Sequence, residues 1–225
     1  MIQVAVMGYG TIGSGVVRSI RNQQKQNHRK KPAKRLTVKY DSGSALEFPG
    51  DPHEAQIVHD FEIIEKDEEV EIVVEAMGGV NPAYKFAKAC LLAGKHVVTS
   101  NKALVAAHGT ELLAIAREKN LNFLFEASVG GGIPLLRPLT QSLAGEKIEE
   151  ISGILNGTTN YILTKMAREG QTFEEALKKA QELGYAERNP EADVEATIPA
   201  ARSTILTSLD NWKRSKLTKM MPNRG

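Results

Sequence analysis

A single cysteine, Cys90, leaves nothing to cross-link in 225 residues. A disulfide framework is thereby excluded, and a reducing compartment, the cytoplasm, is the expectation. Apolar runs are short: none approaches the roughly 20 residues needed to span a bilayer, and the N-terminus has no signal-peptide layout. Aromatic residues make up 5% of the chain, too few to interleave with its basic residues as a nucleic-acid surface would require. Acidic residues are missing from the first forty positions, where Arg18, Arg21, Lys25, Arg29, Lys30, Lys31, Lys34, Arg35 and Lys39 all occur. That imbalance reads either as a solvated helix and loop or as an edge that attracts phosphate. Metal-ligand spacing is absent among His28, His53, His59, His96 and His108, and none has a nucleophile partner at a recognisable distance.

What is present is an alternation of apolar strands and amphipathic helices. IQVAVM at 2–7 predicts a strand, followed by glycines and the helical TIGSGVVRSIRNQQ. LTVKY at 36–40, EIVVEAM at 71–77, HVVTS and LNFLFEA predict further strands, with helices from Pro82 to Ala93 and across HGTELLAIAREKN. This order predicts an α/β fold with a parallel sheet covered on both faces. From about Gly130 the pattern changes to a glycine-rich turn, an extended ISGILNG, and two helices each closed by glycine. A second structural unit is expected there.

Gly8-Tyr9-Gly10-Thr11-Ile12-Gly13 has the G-x-G-x-x-G spacing between a strand and a helix. Glycines in that place permit a tight turn, close approach to a pyrophosphate and close helix–strand packing, while the helix N-terminus offers N–H donors to an anion. An acidic residue about 20 positions on would complete the pattern; Asp41 is nearest, in YDSGSAL, which reads as a loop. Thr99-Ser100-Asn101-Lys102 closes a predicted parallel strand, the edge where open α/β sheets bind ligands, so Lys102 reads either as a site residue or as a solvated one. Glu126 precedes a glycine-dense turn whose free carbonyls could hold a hard cation or form a plain hinge. Asn156-Gly-Thr-Thr-Asn could cap a helix or present polar groups to a small ligand. Glu187 and Asp193 are loop carboxylates suited to an ammonium group, or simply solvated.

VAVMGYGTIGSGVV, VVEAMGGVNPAY, GKHVVTSNKALVAAHGTELL, FEASVGGGIPLLRPL, GILNGTTNYILTKM and AQELGYAERNPEADVE, in this order, resemble homoserine dehydrogenase. The resemblance implies a Rossmann-like doubly wound sheet over 1–127, an incomplete α+β substrate and dimerisation domain over 128–209, and an atypical basic tail over 210–225. It implies NAD(P)-dependent interconversion of L-homoserine and L-aspartate 4-semialdehyde, no nucleic-acid or membrane partner, and a homodimer. By position, Gly8, Tyr9, Gly10, Thr11, Ile12, Gly13, Gly78, Ser100, Lys102 and Gly184 would contact NADP or NAD. Glu126 and the backbones of Val129, Gly131 and Ile133 would hold sodium. Glu187 and Asp193 would bind the amino acid, and Lys102 would lie at the reacting carbon.

The chain departs from that family after Asp193-Val-Glu. Where the family keeps an aspartate for the substrate and a lysine as proton donor, this sequence has Ile198 and Arg202. Isoleucine accepts no hydrogen bond, and an arginine, charged at all working pH values, shuttles protons poorly. Back-translated with suitable codons, a one-base shift of frame gives a family-like pattern over 196–204, and does the same over 41–46 and in the tail. Frame shifts in the gene are therefore the expectation for these patches. The family chain also continues beyond this point, so the resemblance is to an N-terminal portion.

Overall fold

A computed structural model describes residues 1–26, 36–42, 57–143, 145–154, 156–186, 202 and 205–206. The chain divides into two compact units, Met1–Gly131 and Gly132–Gly225.

The first unit is built on a sheet of β1 (Ile2–Met7), β2 (Leu36–Ser42), β3 (Ile57–Val58), β4 (Val70–Glu75), β5 (His96–Thr99) and β6 (Phe123–Leu124). Its spatial order is β3-β2-β1-β4-β5-β6, and every pairing among the described residues is parallel. Helices α1 (Thr11–Gln26), α2 (Phe61–Lys66), α3 (Asn81–Leu92) and α4 (Lys102–Glu118) lie between strands, and the single turn α5 (Ala127–Gly130) follows β6. The sheet grows outward in opposite directions from the β1–β4 pair, so right-handed crossovers put α1 on one face and α3 on the other. Both faces being covered explains why the central strands read as nearly continuous apolar runs. Val4, Val6, Tyr9, Val17 and Val38 form one buried cluster between α1 and the first two strands.

Two expectations change here. Asp41 is not in a loop: with Ser42 it extends β2, pairing with Val6 on one side and Ile57 on the other, and it is fully buried. The cause is tertiary, since the N–H groups of Gly8 and Tyr9 both donate to the Ser42 carbonyl, at 2.8 and 3.0 Å, and draw the strand on. The short β3 and α2 carry too little periodic sequence to be expected at all, although Asp60 caps α2 by accepting from the Glu62 N–H at 2.9 Å.

In the second unit the extended expectation over ISGILNG does not become a strand: residues 151–154 lie outside any helix or ladder, and Gly157 already begins the helix that follows. A strand needs a partner to satisfy its backbone, and no described strand lies beside it. Pro138–Ser142 forms one π-helical turn. Helices α6 (Gly157–Glu169) and α7 (Phe173–Glu182) then pack through Ile162, Ala176, Ala180 and Ala186, flanked by Tyr161, Phe173 and Leu177.

Candidate functional site

The C-terminal ends of β1, β4 and β5 lie side by side at the point where the strand order reverses, the place where sheets of this topology bind ligands. Three glycines shape that point, each for a different reason. Gly8 has φ +96°, in the left-handed region, and a Cβ there would fall 2.7 Å from the Ala76 carbonyl oxygen at the end of β4. A Cβ on Gly13 would fall 2.0 Å from the Gly8 oxygen and 3.3 Å from Val6 Cγ1, so α1 can approach β1 only without a side chain there. Gly10 is different, because a Cβ would meet nothing within 4 Å. Protein packing does not require glycine at this position.

This cradle fits a dinucleotide pyrophosphate. The first N–H groups of α1, on Thr11, Ile12 and Gly13, precede its ladder and lie at its positive end. Tyr9 differs from its neighbours: its ring is packed in the core and its N–H is engaged by Ser42, so the exposed Thr11 and Ile12 are the better placed pair.

The β4 and β5 ends are tied by a ring of hydrogen bonds absent from the sequence reading. Glu75 and Thr99 are lateral partners in the ladder, and both are buried. The Thr99 hydroxyl donates to Glu75 Oε2, and the Met77 N–H donates to Oε1 at 2.8 Å. Thr99 Oγ1 in turn accepts from the Asn101 N–H at 2.9 Å. The Asn101 amide donates to the Gly79 carbonyl at 2.7 Å and the Met77 carbonyl at 3.5 Å, while its Oδ1 caps α4 by accepting from the Leu104 N–H at 3.0 Å. Burial pushes the Glu75 carboxyl above the usual carboxylate range, against the pull of these donors. An acid at the end of an apolar strand was visible in EIVVEAM; its partner was not, because register between strands is not written in either one. A second buried charge, Lys95, sits at the opposite end of β4, where its Nζ donates to the carbonyls of Asp67 and Val70.

Gly78 is exposed on the turn held by this ring, and the half-buried Lys102 is the first residue of α4, directly after Asn101. Cys90 lies inside α3, fully buried, with its thiol pushed up to about 12 by desolvation, which removes it as a nucleophile. His96 Nδ1 accepts from the Asn122 N–H at 2.9 Å, and His108 stacks on Tyr84 at 3.9 Å between centroids. No group of three or more metal-ligating side chains occurs among the described residues, and no described helix is long and apolar enough to cross a membrane.

Glu126 is half-buried at the start of α5, Val129 is buried within it, and Gly131 follows with φ +60°. Ile133 belongs to the second unit. There, Asn156 caps α6 by accepting from the Thr159 N–H at 3.1 Å, and the Thr158 hydroxyl donates to the Tyr185 carbonyl at 2.6 Å. This supports the capping reading of Asn156-Gly-Thr-Thr-Asn. Gly184, at φ +75°, ends α7: its N–H donates to Gln181 and that of Tyr185 to Ala180. Glu187, Asp193 and Ile198 lie outside the described residues; Arg202 is half-buried in a helical conformation.

Comparison with known proteins fits this geometry. The family described as homoserine dehydrogenase, NAD binding domain, matches residues 8–126, and that described as homoserine dehydrogenase matches 134–220. Homoserine dehydrogenase of Synechocystis sp. is 43% identical over 96% of this chain and 49% of its own length. That of Bacillus subtilis is 42% identical over 92% and 48%. The solved homoserine dehydrogenase of Thiobacillus denitrificans superposes with a TM-score of 0.82 at 36% identity, covering 93% of this chain and 48% of that one. A hyperthermophilic archaeal homoserine dehydrogenase in complex with NADPH gives 0.77 at 26% identity, covering 93% and 69%. The chain thus spans about half the length of the curated relatives it matches. With an NAD-binding domain match across more than half its residues, set on a sheet of the matching order, the chain belongs to the homoserine dehydrogenase family.

Proposed function

We propose that this chain binds NADP or NAD on the β1–α1 cradle and serves the interconversion of L-homoserine and L-aspartate 4-semialdehyde. The open space beside Gly10, at the switch point of the sheet, carries the reading. The nicotinamide of the bound cofactor would supply or take up the hydride. Gly8 and Gly13 bring the helix head close, and the N–H groups of Gly10 to Gly13 receive the pyrophosphate. Gly78 and Ser100 border the second mononucleotide half, and Lys102 holds or delivers the proton at the substrate oxygen. In the second unit, Glu187 and Asp193 would hold the substrate ammonium.

Glu126 and the carbonyls of Val129 and Gly131, all in the first unit, are oxygen donors of the kind a hard cation takes, and we assign them to sodium. The homodimer and the cytoplasmic location belong to the same reading.

A second reading is favoured by Ile198 and Arg202 at the positions of the family's aspartate and lysine: a chain that binds dinucleotide without turnover. The burial of Asp41 inside β2, an uncommon residence for a carboxylate, adds to the expectation of a frame shift over 41–46. Titration of the purified protein with NADPH and NADH, followed by an assay with aspartate semialdehyde, separates the readings. Binding with turnover supports the first, and binding alone supports the second. Gly10→Val should keep the fold while weakening dinucleotide binding by about a hundredfold, roughly 3 kcal/mol. Unchanged affinity in that variant would sink the cradle assignment.

A further inference from the structure

The ring of the buried Glu75 and Thr99 with the half-buried Asn101 spans the ends of the two strands beside the second mononucleotide half. In sheets of this order each βαβαβ half receives one mononucleotide, and the half made by β4, β5 and β6 is remote from the adenosine side at β1 and β2. We propose that Glu75 is a positioning residue for the nicotinamide half of the cofactor, acting through Thr99 and Asn101 on the Gly78–Gly79 turn and on the head of α4. This rests on the dinucleotide reading above and deepens it.

The geometry supports a one-way chain of control. Glu75 fixes the turn directly by accepting from the Met77 N–H. It fixes the neighbouring strand end by accepting the Thr99 proton, which orients the Thr99 lone pairs toward the Asn101 N–H. Asn101 then closes the ring on the Met77 and Gly79 carbonyls and starts α4 one residue before Lys102. A carboxylate suits the task because both its oxygens accept, as the two donors facing it demand. An amide in its place must turn its oxygen to Met77 and its NH2 to Thr99. The threonine hydroxyl then loses its acceptor, and the Asn101 end of the ring loosens while the β1 cradle is untouched.

The test compares two probes on the full chain: NADPH, followed by nicotinamide fluorescence, and 2′,5′-ADP, which occupies only the adenosine side, followed by calorimetry. Glu75→Gln should weaken NADPH by about tenfold, the scale of a lost hydrogen bond to a charged group, and leave 2′,5′-ADP within about twofold. Thr99→Val should show the same selectivity, and Thr99→Ser, which keeps the hydroxyl, should restore NADPH binding. Should Glu75→Gln fail to fold, the Thr99 pair carries the test alone. Equal loss of both probes would mean a general structural role and would overturn the proposal, as would no loss of either. A wild-type chain that binds neither these probes nor the NADH and 5′-AMP pair overturns the dinucleotide reading and this inference with it. A wild type that binds both, with variants that do not discriminate, overturns the inference alone.

Discussion

The sheet unit and the helical unit bury apolar side chains on different scales. In the first, Met7, Ile64, Leu91, Leu104 and Leu112 are completely enclosed, and the core runs along both faces of the sheet. In the second, the seam between α6 and α7 is made of Ile162 and three alanines, while Ile133 is 70% exposed and Ile154 73%. Alanines let two helices approach closely, but they remove little apolar area from water. The first unit therefore holds its site by its own packing. Among its described residues the second adds local devices to this seam: a side-chain cap on Asn156, a reciprocal capping box at Thr172 and Glu175, and a left-handed turn at Gly184.

The largest test of that difference is Gly13→Val. The displaced atom would be the Gly8 carbonyl, part of the backbone, which cannot swing aside. Loss of dinucleotide binding should accompany a melting temperature lowered by the equivalent of about 3 kcal/mol or more, on the scale of severe overpacking. A variant that melts normally would show that α1 is not packed as tightly as the contact implies. A middle effect is expected from Thr172→Ala, which removes the side-chain arm of the capping box, the hydroxyl that accepts from the Glu175 N–H at 3.3 Å, and leaves the Thr172 N–H to the Glu175 carboxylate. It should cost about 1 kcal/mol in α7, read as faster amide exchange at Glu175 and Ala176. No change there would mean that the second unit's core holds the helix unaided.

The smallest effect is one of sign. Burial holds the Glu75 carboxyl above its ordinary value of 4.5, so the folded state keeps that proton longer than the unfolded chain does. Its contribution is present below the unfolded value and lost as pH rises through the folded one. Glu175 is the reverse: the Thr172 N–H, then its hydroxyl, hold that carboxyl below 4.5, so its contribution is present above this value and lost as pH falls through the folded one. Urea titrations across the acid range should show stability falling less with rising pH in Glu75→Gln, and less with falling pH in Glu175→Gln. Slopes of the same sign for both carboxylates would contradict the two environments.

Legibility in the sequence followed the same division. Strand β1, its glycines and α1 could be read off because apolar run, turn and helix entry are all local signals that agree. Lys102 could be placed at a strand end, though not the hydrogen bond that starts its helix at Asn101. Asp41 could not, since only pairing with β1 makes YDS a strand. Residues 151–154 have the composition of a strand without a described neighbour to complete one. Glu75 was hidden most fully: its role depends on lying opposite Thr99, a fact of register.

The three glycines of the cradle also differ in what would keep them in place over generations. Gly8 and Gly13 are held by the protein's own atoms, so a lineage that had abandoned its cofactor would still lose its fold by changing either. A Cβ on Gly10 would meet nothing within 4 Å, and on the dinucleotide reading proposed above that glycine answers to the ligand. In such a lineage it is the position free to drift, and the earliest place where disuse could be read from sequence without any sign in the fold.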